Sequence, residues 1–230
     1  MKKYIYIIFL IIIVFLVIYF IIMRVEVRKK PTHEVYVYCL GDSITAGSYP
    51  QYIESLLKKI NKNVHVINKG VPGHNSYQYL KYMIRNKFPN DEMQIDYVLI
   101  QLGTNDIRID TDQTSTEQFI KNMKEIIHRF KMHRNDNDSH PKVFLSTIPP
   151  IVIKIPHFFD ETSRSRVEKE INPAIFQIGQ EENCPVVNNY ELFINNPNLL
   201  PEIHPNEDGY KAMAENWFKM LSPYIKKSLQ

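Results

Sequence analysis

Four short polar stretches hold the residue types from which an acyl-transfer site can be built. Gly41-Asp42-Ser43 offers a hydroxyl directly after an apolar, β-favouring run, Val35-Tyr36-Val37-Tyr38-Cys39. Asn68-Lys69-Gly70-Val71-Pro72-Gly73-His74-Asn75 contains two of the chain's seven glycines. Gly103-Thr104-Asn105-Asp106 follows a second apolar run, and Glu202-Ile203-His204-Pro205-Asn206 lies towards the C-terminal end. A hydroxyl and an imidazole supply nucleophile and base, and glycine amides with an Asn amide are donors suited to a developing oxyanion. Taken alone, Gly-Asp-Ser is as readily a turn, since all three residues are common turn formers. Its meaning depends on whether the fold brings the other three stretches to it.

The elements between these stretches alternate. Val35 to Leu40, Asn63 to Ile67, Ile95 to Leu102, Val143 to Ile148 and Pro185 to Asn188 read as strands, and the near-continuous apolar character of Ile95 to Leu102 suits a strand buried on both faces. Apolar residues at helical spacing mark Tyr49 to Ile60, Ser76 to Phe88, Thr116 to Lys131, Arg164 to Glu181 and Glu207 to Lys226. Ser76 is an expected N-cap, Pro89 an expected stop, and Pro173 an expected bend. Five strands alternating with helices predict a parallel sheet covered on both faces. Every strand-to-helix loop of such a sheet lies on one edge, so the four polar stretches can converge there.

From about Val35 to Leu221 the chain resembles the SGNH (GDSL-type) hydrolases, whose fold is a flavodoxin-like three-layer α/β/α sandwich. Gly41-Asp42-Ser43-Ile44-Thr45 is similar to the block carrying that family's nucleophile, which implies that Ser43 attacks an ester carbonyl. The resemblance implies that Gly70 gives a backbone N–H to the oxyanion, with the Ser43 N–H beside it. Gly103-Thr104-Asn105-Asp106 looks like the third block, implying an Asn105 side-chain donor. His204-Pro205-Asn206, followed by Gly209-Tyr210, looks like the last, implying that His204 is the general base. Asp42 and Asp106 read as loop braces rather than acids.

The sequence departs from the family where most members place an Asp three residues before the histidine. Pro201 stands there, and the nearest acid is Glu202. Glu202 on a shortened loop is the expected third catalytic residue; a backbone carbonyl, another carboxylate or a Ser–His dyad are the alternatives. The expected activity is that of a carboxylic ester hydrolase working through an acyl-enzyme, with no cofactor and no metal. The last two loops, at Asn172-Pro173-Ala174 and Leu200-Pro201-Glu202-Ile203-His204, resemble those of members that remove acetyl groups from carbohydrates. A lysophospholipase or acyl-lipid esterase, an acyltransferase, and a weak domain retained for binding are the rivals.

The remaining features bound this reading. The 230 residues divide into 1–30, read as a membrane anchor with a basic flank, and 31–230, read as one hydrolase domain. Tyr4 to Met23 is an uncharged apolar run long enough to span a bilayer as a helix, and no small-residue cleavage site follows it. Flanking charges lean towards a cytoplasmic domain, but large domains translocate largely regardless of them; the expected arrangement is a single-pass anchor with the domain outside the cytoplasm. Net charge is +3 without an arginine stripe interleaved with aromatics, which argues against nucleic acid as a partner. Cys39 and Cys184 read as buried thiols, and His128 and His133, five positions apart, do not share a helical face as a metal pair would.

Overall fold

The computed structural model describes residues 12–19, 34–110, 113–152 and 157–228. The chain divides into two units, 1–33 and 34–230. In the first, residues 12–19 are helical with exposed side chains, and the rest of the expected span from Tyr4 to Met23 lies outside the described residues. Among the described residues no helix is long and apolar enough to cross a membrane.

The second unit is an α/β fold around a five-stranded parallel sheet. In chain order it runs β1 (Val35–Gly41), α1 (Ser43–Ala46), α2 (Tyr49–Leu57), β2 (Val64–Gly70), α3 (Ser76–Arg85), β3 (Tyr97–Gln101), a 3₁₀ turn (Thr104–Ile107) and α4 (Thr116–Met132). Then come β4 (Lys142–Ser146), α5 (Glu161–Arg166), a π-helical turn (Val167–Ile171), α6 (Asn172–Glu181), β5 (Val186–Val187) and α7 (Asn189–Asn195). A second 3₁₀ turn (Pro197–Leu199) precedes α8 (Glu207–Ser228). Strand order is β2-β1-β3-β4-β5 with every pairing parallel, the doubly wound flavodoxin-like order.

Period-two alternation along the strands sorts the core into two layers. Tyr38 and Leu40, Val98 and Ile100, and Val143 and Leu145 face one side, where they meet Tyr79 and Met83 of α3, Phe119, Met123 and Ile126 of α4, and Ile175 and Ile178 of α6. Val37, Cys39, Leu99 and Phe144 face the other, against Ile53 of α2, Phe193 of α7 and Met213, Trp217 and Leu221 of α8. Cys39 is fully buried, Cys184 nearly so, and burial raises both thiols, Cys184 to about 11. Both are free, and such groups stay protonated and unreactive at neutral pH.

Three local details differ from the expected elements. Asn75, not Ser76, caps α3: its side chain accepts from the Gln78 N–H while Gln78 reaches back to the Asn75 N–H, a reciprocal capping box. The helix expected from Arg164 to Glu181 is α5 and α6 joined by the π turn just before Pro173. Proline has no N–H and its ring crowds the preceding turn, which a wider turn relieves. Short helices α1 and α7 lack the length for a legible apolar period and were not expected.

Candidate active site

The hydroxyl of Ser43 is held at the carboxyl edge of the sheet by the tight exit from β1. Gly41 pairs with Gly70 on one side and Gln101 on the other. A Cβ at Gly41 would lie 2.2 Å from the Gln101 carbonyl oxygen and 2.1 Å from Thr45 Oγ1, so no larger residue fits. Asp42 then caps α1, its Oδ1 accepting from the Ile44 N–H at 2.9 Å, and Ser43 becomes the first residue of that helix. The Ser43 N–H therefore points out of the helix end, with no partner among the described residues.

Asp42 is fully buried, and burial, opposed by the Ile44 N–H and a Thr104 contact, pushes its carboxyl up to about 7. Its Oδ2 and the nearby Thr104 Oγ1 are both buried without a hydrogen-bond partner among the described residues. Asp106, equally buried and pushed up to about 6 by its burial, is better satisfied. It accepts from the Ser76 N–H at 2.9 Å and the Ser76 hydroxyl at 2.5 Å, tying the loop after β3 to the start of α3. Ser76, expected as a helix cap, serves this tie instead. Arg166 of α5 donates to the Asp106 and Thr114 carbonyls and fixes the same loop from the opposite side.

His204 meets Ser43 directly: Nε2 stands 2.8 Å from Oγ, across a separation of 161 residues. The loop carrying the imidazole is pinned from behind by Asn206, whose side chain donates to the Asn198 carbonyl and accepts from the Gly209 N–H. Its own N–H donates to the Leu199 carbonyl, and the buried Leu200 and Pro205 anchor the loop's two ends. A second bracing network was also missed. Asn189 donates to Gln101 Oε1 and Ser146 Oγ, and Asn216 donates to Asn189, so that β3, β4, α7 and α8 lock together beneath the strand ends. Polar residues at buried positions beside strand ends are the sequence signal for such a network, but their partners are 27 to 88 residues away.

Two of the expected site residues are placed differently from Ser43, His204 and Asn105. Glu202 is exposed and makes no hydrogen bond or ion pair with His204, and among the described residues no group bonds His204 Nδ1. The Gly70 N–H is not open to an oxyanion. It donates to Asn68 Oδ1 at 2.9 Å, and a Cβ at Gly70 would sit 2.2 Å from the Ala46 backbone nitrogen. Gly70 is thus a packing glycine that lets β2 approach α1. Gly73, the other glycine of that loop, adopts φ +77° and leaves its N–H without a partner among the described residues. The next carbonyl, of His74, accepts from Asn105 Nδ2 at 3.1 Å, placing the Gly73–His74 peptide against the Asn105 amide. That bond uses one of the two Asn105 amide hydrogens and leaves the other. Among the described residues no group of three or more His, Cys, Asp or Glu is arranged to hold a metal ion.

Fold and site define a class: an open parallel α/β enzyme with a serine hydroxyl and an imidazole within hydrogen-bond reach at the strand ends, as acyl transfer requires. A model of the GDSL-like Lipase/Acylhydrolase family matches residues 39–212, and the chain belongs to that family. It is a carboxylic ester hydrolase. Comparison with curated protein sequences found no match. Solved structures share the fold. An acetyl xylan esterase superposes with a TM-score of 0.66 at 22% identity, covering 81% of this chain and 100% of the other. An acetylxylan esterase from Geobacillus stearothermophilus gives 0.63 at 17% identity, covering 83% and 95%. A GDSL-like lipase from Bacteroides thetaiotaomicron gives 0.65 at 22% identity, covering 82% and 88%.

Proposed function

We propose that the protein hydrolyses esters through a Ser43-bound acyl-enzyme, with His204 as general base. As Ser43 Oγ attacks the carbonyl carbon, His204 Nε2 takes its proton. The tetrahedral oxyanion is held by the Ser43 N–H, the Gly73 N–H and the second Asn105 amide hydrogen. Collapse expels the alcohol, which receives the proton from His204. Water, deprotonated by the same imidazole, then releases the acid. The observation that carries this reading is the 2.8 Å contact between Ser43 Oγ and His204 Nε2. A fluorophosphonate probe tests it: the wild-type chain should form a covalent adduct that Ser43→Ala lacks, and an adduct independent of Ser43 rejects the assignment.

With no group bonded to His204 Nδ1 among the described residues, the pair works as a dyad, and Glu202 is a solvated loop residue. The substrate is a short acyl ester, an acetyl group on a carbohydrate being the class favoured by the likeness of the last two loops to carbohydrate deacetylases. A chain-length series of p-nitrophenyl esters checks this: turnover should fall as the acyl chain lengthens, and a preference for long chains would favour a lysophospholipase. Tyr4 to Met23 is proposed to anchor the enzyme with its catalytic unit outside the cytoplasm. Protease treatment of intact cells should remove that unit, and protection of it rejects the orientation.

A further inference from the structure

A groove of about 640 Å³ opens beside the proposed oxyanion donors, and the ester chemistry itself leaves it unused. Gly73 and His74 form one wall; Lys81, Tyr82, Ile84 and Arg85 of α3 form the other. Its link to the proposed oxyanion donors runs through His74. The His74 carbonyl receives the Asn105 amide, while the His74 ring packs edge-on against Tyr82, centroids 6.1 Å apart, inside the groove. Lys81 and Arg85 lie four positions apart on one helix face. No acid lines the groove, and neither cation is ion-paired among the described residues; Lys81 Nζ rests 4.7 Å from the centre of the Tyr77 ring.

Size and charge together select an occupant. A two-carbon acyl group would leave most of this volume empty, so the groove suits the alcohol side of the ester. Two unpaired cations at its rim disfavour a hydrocarbon chain, whose burial there would desolvate charge without replacing it. The same cations attract an anion.

Resting on the esterase reading, we propose that this groove seats the alcohol portion of the substrate and that this portion carries a carboxylate or phosphate held by Lys81 and Arg85. Three small acetyl esters test it: 4-acetoxybenzoate, 4-acetoxyphenyl phosphate and neutral p-nitrophenyl acetate. The quantity read is the ratio of kcat/KM for each anionic ester to that for the neutral one. An exposed ion pair contributes up to about fivefold, so the ratio should fall about tenfold in Lys81→Gln/Arg85→Gln, and more in the charge-reversed Lys81→Glu/Arg85→Glu. Whichever anion loses more identifies carboxylate or phosphate as the preferred group. A second readout does not depend on turnover: the Kd of each anionic ester for Ser43→Ala should rise by a similar factor when the two glutamines are added. Unchanged ratios and unchanged Kd overturn the inference while leaving the esterase intact. Failure of the wild-type chain to hydrolyse any of the three esters would reject the esterase reading instead, and the Kd comparison would still decide the anion site.

Discussion

The two loops that carry the proposed nucleophile and base are held in opposite ways. On the Ser43 side, the chain is constrained up to the reactive atom itself. Gly41 is wedged between β2 and β3, Asp42 is buried and caps α1, and Thr45 Oγ1 bonds the Tyr49 hydroxyl at 3.0 Å. On the His204 side, Asn206, Leu200 and Pro205 fix the backbone, but among the described residues the imidazole hydrogen-bonds Ser43 alone. An imidazole without a partner on its far nitrogen is less restrained in orientation and tautomer than one held from both sides.

Five substitutions sharpen or break this contrast. The largest effect belongs to the reacting pair. Ser43→Ala and His204→Ala should each lower kcat on a small ester by about five to six orders of magnitude, and together by no more than either alone, because groups acting as a unit are not additive. Multiplicative losses would mean that the two do not act as a pair. Next comes the oxyanion donor. Asn105→Ala should cost about 10²–10³ in kcat, with a much smaller change in KM; full turnover in the purified variant removes Asn105 from the mechanism.

Asp42→Asn separates bracing from chemistry through pH. A carboxyl raised from 3.8 to about 7 on folding binds its proton more tightly in the folded state. Its burial therefore costs little below pH 4 and destabilises progressively as pH rises towards 7. Asn keeps the cap to the Ile44 N–H and carries no charge. The variant should accordingly gain stability relative to wild type between pH 4 and 8, by on the order of a few kcal/mol in chemical denaturation. A pH-independent difference would show that Asp42 is not a buried, raised carboxyl. The smallest effect is expected at the residue behind the base. Glu202→Ala should change kcat/KM by less than about twofold, whereas loss of a working triad acid costs about 10⁴. A drop of that size would restore Glu202 to the site and abolish the contrast.

The strands and the four polar stretches were legible because their signals are local, whereas the doubly wound order was expected only through the family resemblance. A continuous apolar run followed by glycine and a small polar residue needs only neighbours to be recognised, and Ser43 and Asn105 were singled out as candidates that way, whereas the role expected of His204 rested on the resemblance. Gly70 and Gly73 show where this stops. Both are glycines of one loop, and only the approach of Ala46 to Gly70, with Asn68 on its N–H, reveals that Gly70 packs while the Gly73 N–H has no partner among the described residues. Asn75 rather than Ser76 capping α3 is a similar case, decided by Asp106 across 30 residues.

What the sequence alone determined is therefore the class of chemistry and the sheet edge that carries its candidate residues. Residue type and the alternation of apolar runs are properties of the chain itself, and they sufficed to set a hydroxyl, an amide and an imidazole on strand-end loops. Tertiary structure decided which atoms remain available. The Gly70 N–H is occupied, the Gly73 N–H has no partner among the described residues, Ser43 Oγ and His204 Nε2 meet at 2.8 Å, and Glu202 is exposed. Hydrogen-bond capacity is consumed by partners distant in the chain, so it becomes known only when those partners are in place.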